Sequence, residues 1–80
     1  MIVQKYWATL PNLHLVFWNE SSMKAIGNKL GRFNDLEEGW ELKEDMHWVW
    51  VHVEVDLWEG LVGKLNLIYI ENSWNQRVDY

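Results

Sequence analysis

The sequence predicts a small α+β domain in which one helix packs on a small antiparallel sheet. Three observations favour this fold class. Residues 47–57 alternate between apolar and other side chains, residues 19–31 have the apolar spacing and end signals of a helix, and short turn-forming stretches separate the other apolar runs. The chain has 80 residues, which is the length of one domain. We therefore expect residues 1–80 to form a single small domain with the order strand, helix and then three or four strands.

The first predicted strand covers residues 2–10, "IVQKYWATL", which are rich in β-branched and aromatic side chains. Pro11 and Asn12 follow it and favour the end of the strand. Residues 13–18 form a short apolar connector. A strand, a connector and a helix are therefore expected to follow one another directly.

The helix is predicted over residues 19–31. Asn19 or Ser21 can cap its first turn, because a side-chain oxygen of either residue accepts a hydrogen bond from a free backbone N–H. Gly31 is placed to end it. Gly27 lies inside the helix, where glycine costs about 1 kcal/mol relative to alanine, so we expect a close approach to the sheet there. The apolar residues share one narrow stripe, which consists of Met23, Ile26 and Leu30.

The strongest strand signal lies at residues 47–57, where side chains alternate over a full strand length. The apolar face consists of Val49, Val51, Val53, Val55 and Leu57. The opposite face consists of Trp48, Trp50, His52, Glu54 and Asp56. We expect the apolar face to pack on the apolar stripe of the helix, because the two surfaces match in period and in chemistry.

Other apolar runs complete the predicted sheet. The predicted segments are a short strand within residues 32–42 around a turn at Glu38 and Gly39, a strand at 64–71, a turn at 72–73 and a last strand at 74–80. The segment at residues 32–42 has the weakest strand pattern, so three or four strands are expected after the helix. Consecutive strands joined by short turns pair antiparallel, and this order suggests that Ile68 and Ile70 lie across the sheet from Trp48 and Trp50.

Composition and charge restrict the possible functions. The chain has 12 acidic and 7 basic residues, a net charge of −5, and no cysteine. Tight nonspecific binding to nucleic acid depends on clustered Lys and Arg, which are scattered here. No run of about 18 apolar residues predicts a membrane span, and the N-terminal residues lack the pattern of a signal peptide. We expect an intracellular protein with no membrane partner, and no compartment is indicated.

One strand face offers a weak metal-binding pattern. His52, Glu54 and Asp56 share a face and could hold a divalent cation. A solvated outer face explains the same pattern and is the preferred interpretation. The spacing of Ser, Thr, His and Asp residues indicates no catalytic set. We therefore expect no enzymatic activity, no catalytic residue, no cofactor and no metal site.

The tryptophans suggest a binding surface. Trp48 and Trp50 can stack single-stranded bases, as aromatic residues on open sheets do, and Lys64 could supply a nearby positive charge. The acidic residues that follow the two tryptophans favour a different interpretation, in which the rings pack against sequence that this chain does not include or against a partner protein. Seven tryptophans are also many for so short a chain, so we expect some of them to be exposed.

A set of spaced residues extends over most of the chain. In the first part the set comprises Trp7, Leu10, Pro11, Leu13, Trp18, Ile26, Gly27, Leu30 and Gly31. In the second part it comprises the run "VEVDL" at residues 53–57 and then Gln76, Val78, Asp79 and Tyr80. Together they resemble the Gag-like domain of the first-frame proteins of plant non-LTR retrotransposons. His14 departs from the pattern, since the family usually repeats proline there.

The resemblance implies that residues 1–80 correspond to the C-terminal half of a larger Gag-like domain. In that family a Cys-Cys-His-Cys zinc knuckle follows the domain, and this cysteine-free chain does not include it. The implied function is a noncatalytic scaffold or assembly fragment that associates with nucleic acid only in its parent protein. Its partners would be a protein or a second copy of itself. The alternative is an autonomous single-stranded nucleic-acid-binding module that uses exposed tryptophans.

Overall fold

A nine-residue strand, Trp48–Asp56, is the centre of the fold, because it pairs with a strand on each side. The computed structural model describes residues 2–80. In chain order the elements are β1 (Val3–Pro11), α1 (Glu20–Leu30), β2 (Arg32–Leu36), β3 (Trp48–Asp56), β4 (Lys64–Tyr69) and β5 (Asn72–Arg77), with 3-10 turns at Leu15–Phe17 and Trp40–Leu42. The predicted α+β class, with one α-helix in residues 2–80 and antiparallel strands, is confirmed.

The strands are divided between two sheets. β1 and β2 both pair antiparallel with β3, which gives a three-stranded sheet in the order β1-β3-β2, while β4 and β5 form a separate hairpin. α1 connects β1 to β2 across the central strand, so the first three elements form a split β-α-β unit. The sequence did not decide whether a strand directly follows the helix, and β2 is that strand.

β3 and β4 do not pair, although they are consecutive in the chain. The hairpin is attached to β1 instead, because the Thr9 N–H donates to the Asp79 carbonyl at 2.6 Å and the Asp79 N–H donates to the Thr9 carbonyl at 3.0 Å. The interpretation that put Ile68 and Ile70 across one sheet from Trp48 and Trp50 is therefore wrong. The connecting segment, residues 57–63, runs between the sheets as a turn and an open loop, so it does not force the two strands into a hairpin.

α1 begins and ends near the residues that the sequence predicts. Of the two candidate caps, Asn19 is the N-cap, since its Oδ1 accepts a hydrogen bond from the Ser22 N–H at 2.8 Å. Glu20 lies in the first turn and Lys29 in the last, where each charge suits the helix dipole. Between these ends the helix contacts β2 and β3.

The core lies between α1 and the valine face of β3. All four valines of that face are at most 2% exposed, and the helix stripe is also buried, so the predicted packing is confirmed for these residues. Leu57 is the exception, because it follows the end of β3 and is 37% exposed. The buried apolar residues are Ala8, Leu10, Leu13, Phe17, Met23, Ile26, Leu30, Val49, Val51, Val53, Val55, Leu67 and Val78.

Two glycines allow the close approach of the helix to the sheet. A methyl group on Gly27 would lie 2.7 Å from Cδ1 of Phe33 and 3.1 Å from Cγ1 of Val51. A methyl group on Gly31 would collide with the backbone carbonyl oxygen of Glu54 in β3. The predicted close approach at Gly27 is confirmed, and the tighter backbone contact lies at Gly31.

Candidate functional site

The face of the three-stranded sheet turned away from α1, which we call the outer face, presents aromatic side chains. On β1 it is formed by Val3, Lys5, Trp7 and Thr9, and on β3 by Trp48, Trp50, His52, Glu54 and Asp56. Register places Trp7 directly opposite His52, and their rings stack with centroids 4.7 Å apart. Trp7 was not assigned to a site from the sequence. Its alternation with buried Ala8 and Leu10 is the signal that could have placed it there.

The seven tryptophans differ in exposure. Trp7, Trp50 and Trp58 are 48%, 46% and 75% exposed, and the other four are half-buried. The expectation that some tryptophans are exposed is therefore confirmed. Only Trp7 and Trp50 of the three exposed indoles lie on the outer face, whereas Trp58 follows β3 in the loop to β4.

Trp48 is occupied by a contact within the chain. The Lys43 ammonium lies 4.2 Å from the centroid of the Trp48 ring and donates to the Trp48 carbonyl at 2.8 Å. The same ammonium donates to Oε1 of Glu37 at 3.0 Å, and both charged side chains are largely buried. Because an ammonium already covers its ring, Trp48 is a poorer stacking platform than Trp50.

The structure does not gather the three candidate nucleic-acid-binding residues on one surface. Trp48 and Trp50 lie on β3, whereas Lys64 begins β4 in the other sheet, opposite Arg77. On the outer face, Asp35 of β2 is opposite His52 and Arg32 is opposite Glu54. Glu37, just after β2, donates its backbone N–H to the Trp50 carbonyl. The groove beside Trp7 and Trp50 is therefore acidic where a base-stacking surface is normally basic, although Lys5 and Arg32 lie farther along the same face.

An open groove lies where the outer face meets the end of β2. Its volume is about 810 Å³. The groove, which we call the acidic groove, is lined by Trp7, Asp35, Leu36, Glu37, Glu38 and Trp50. Sequence reasoning missed it, because its residues come from three separate segments.

Hydrogen bonds position Glu37 in the acidic groove. The Glu37 N–H donates to the Trp50 carbonyl at 3.0 Å, and Oε1 of Glu37 accepts from the Trp50 N–H at 3.2 Å. The Asp35 carboxylate accepts from the N–H of Leu36 at 2.8 Å. Within residues 2–80, no Lys, Arg or His nitrogen lies within 4.0 Å of the carboxylates of Asp35 and Glu38.

The outer face does not provide a metal centre. His52, Glu54 and Asp56 alternate along β3 as predicted, but the His52 ring stacks on Trp7. Across residues 2–80, the structure contains no group of three His, Cys, Asp or Glu side chains that could hold a metal ion. The strand pattern alone therefore did not create a ligand set.

The β4–β5 hairpin carries a second apolar surface. Its turn lies at residues 70–71 rather than at the predicted 72–73, and β5 begins correspondingly earlier. Ile70 has a φ of 57°, an uncommon value for a β-branched residue. Ile68, Tyr69 and Ile70 are 67%, 47% and 80% exposed. These three residues therefore form an exposed apolar patch at the hairpin turn.

Tyr80 connects the C-terminal segment to the loop before β4. Its phenol donates to the Val62 carbonyl at 2.8 Å, and its ring meets that of Tyr6 edge to face at 5.4 Å. Burial raises the pKa of the Tyr80 phenol above its usual value of 10.0, because desolvation disfavours the phenolate.

Comparison with protein-family models, curated proteins and solved structures finds no match to this chain. In the described part of the chain, no helix combines the length and apolarity that crossing a bilayer requires.

Proposed function

We propose that this chain is a noncatalytic assembly module, of Gag-like retroelement type, that associates with a second copy of itself through the hairpin. One observation supports this most directly: β4 pairs with β5 on one side and, within residues 2–80, with no strand on the other. An unpaired strand edge offers a row of backbone N–H and C=O groups to another strand.

Hairpin geometry identifies the groups at that edge. Tyr69 is opposite Asn72 across a two-residue turn, so this pair exchanges the hydrogen bonds that close the hairpin. Alternation along the strand then directs the backbone groups of Ile68 and Asn66 to the unpaired edge. The side chain of Ile68 is 67% exposed at the same place.

Two copies can pair the free backbone N–H and C=O groups of their β4 edges with each other. Antiparallel pairing of β4 with β4 of a second copy would give a continuous four-stranded sheet with two-fold symmetry. It would also cover the apolar patch of Ile68, Tyr69 and Ile70. A two-stranded hairpin is marginally stable alone, so the added strands would stabilise it.

Charge favours assembly over nucleic-acid binding. Trp7 and Trp50 are exposed, as a stacking surface requires, but Asp35, Glu37 and Glu38 line the same groove. Carboxylates repel phosphates, and a chain of net charge −5 releases few counterions. We therefore expect only weak binding of single-stranded RNA or DNA at physiological salt.

Sedimentation over about a hundredfold range of concentration tests self-association. We expect the wild-type chain to form dimers and Ile68→Lys to stay monomeric, because lysine at a strand edge blocks pairing. The matched control is Leu15→Lys, since Leu15 is also 67% exposed but lies in the first 3-10 turn. A wild-type chain that is monomeric throughout, or equal effects of both substitutions, would contradict the proposal.

Titration with labelled single-stranded RNA and DNA tests the alternative. Weak binding that Trp50→Ala leaves unchanged is the expected result. Sub-micromolar binding that Trp50→Ala removes would favour the single-stranded nucleic-acid-binding module instead.

A further inference from the structure

We propose that the acidic groove binds a lysine or arginine side chain from an extended basic segment of a partner protein. This binding site is separate from the hairpin edge, so it does not depend on self-association. Four observations support it: a similar cation contact elsewhere in the chain, groove carboxylates without a cationic partner in residues 2–80, the exposed indoles and the size of the groove.

The chain already holds one cation in the way that we propose. The Lys43 ammonium contacts the Trp48 ring at 4.2 Å and the Glu37 carboxylate at 3.0 Å. An indole and a carboxylate therefore bind an ammonium together at one end of this surface. Both attractions are electrostatic, and partial burial strengthens them.

The acidic groove repeats these components without a cation of its own. Asp35 and Glu38 have no cationic nitrogen within 4.0 Å in residues 2–80, whereas the Glu37 carboxylate is paired with Lys43. Three carboxylates and one ammonium leave the groove region with a charge of −2. A positive ligand is favoured there, and a phosphate is disfavoured.

The two indoles of the groove are available to a ligand. Trp50 is 46% exposed and Trp7 is 48% exposed. His52 stacks on Trp7 at 4.7 Å and so supports one face of that ring. A cation above an exposed indole gains a further attraction from the ring quadrupole.

The size of the groove suits a peptide side chain and its neighbours. A volume of about 810 Å³ lies within the usual range for ligand pockets. Leu36 adds an apolar contact for the methylene groups of a lysine or arginine. The open shape of the surface, between strand ends rather than inside the core, favours an extended segment over an enclosed small molecule.

The test uses a blocked peptide in which lysines alternate with glycines, added to the full chain carrying Ile68→Lys. This background keeps the test independent of self-association at the hairpin. Binding is followed through the side-chain N–H resonances of Trp7 and Trp50 in ¹⁵N-labelled protein. We expect these two signals to shift with lysine peptide and to stay in place with the same peptide carrying acetylated lysines.

Two pairs of variants separate the indole from the charge. Trp50→Ala should weaken peptide binding by about two- to fivefold, as should Glu38→Gln. Trp58→Ala and Glu44→Gln are the matched controls, because these exposed residues lie outside the groove, and neither should change the affinity. If Trp50→Ala fails to fold, Glu38→Gln still decides the outcome, since Glu38 is an exposed side chain.

Three results would overturn the proposal. The first is equal binding of the lysine and acetyl-lysine peptides. The second is equal loss of binding in the groove variants and their controls. The third is tighter binding of single-stranded RNA than of the lysine peptide, with the RNA competing for the same indole signals.

Discussion

Replacing Gly31 with alanine would place a methyl group against the backbone of the central strand. Besides colliding with the Glu54 carbonyl oxygen, the new Cβ would lie 3.1 Å from the Glu54 carbonyl carbon and 3.3 Å from Cα of Val55. These atoms cannot move easily, because β3 is hydrogen-bonded to β1 and β2 on its two sides. Gly31 has a φ of 170°, which is extended backbone, so the expected cost is steric.

Overpacking of this kind costs about 1–3 kcal/mol, and backbone atoms that cannot move put Gly31→Ala near 3 kcal/mol. A chain of 80 residues has a total unfolding free energy of about 4–12 kcal/mol, so the variant loses a large fraction of its stability. With a urea m value of about 1 kcal/mol per M, the midpoint of unfolding should fall by about 3 M.

The assay is urea unfolding followed by circular dichroism. Gly63→Ala is the matched control, because Gly63 has open space around it and its φ is not in the left-handed region. Its carbonyl accepts from the Val78 N–H, and alanine keeps that bond. A Gly31→Ala midpoint close to that of Gly63→Ala would refute the close backbone contact between helix end and sheet.

The remaining predictions concern the packing of the helix face and the dependence of stability on alkaline pH. Ile26→Ala should cost about 2–4 kcal/mol in the same assay, because Ile26 is 4% exposed; a near-neutral effect would contradict the packing of α1 on β3. Gly27→Ala should also destabilise, despite the better helix propensity of alanine, but less than Gly31→Ala, since the Phe33 side chain can move; a gain in stability would show an open helix face. The raised pKa of Tyr80 means that folding favours the neutral phenol, so its contribution is complete below pH 10 and is lost as pH rises through the folded-state pKa. The free energy of unfolding should therefore fall more steeply between pH 8 and 11 in wild type than in Tyr80→Phe. Parallel plots of this free energy against pH would contradict the prediction.

The sequence by itself determined the helix and the apolar face of β3. The signals for both lie within a few neighbouring residues, such as the Asn19 cap and the valine alternation of residues 49–55. Local periodicity also predicts which side of each element is buried, since side chains alternate in strands and recur at helical spacing. The Gag-like resemblance remains a prediction.

Only the tertiary structure decided which strands pair and what their outer surfaces form. β3 pairs with β1 and β2 rather than with β4, because strand pairing depends on contacts between residues far apart in the chain. Register then brings Trp7 to His52 and places Asp35 beside them. The acidic groove consists of residues from β1, from β3 and from β2 with the segment after it, and no local pattern in any one of those segments specifies the other two.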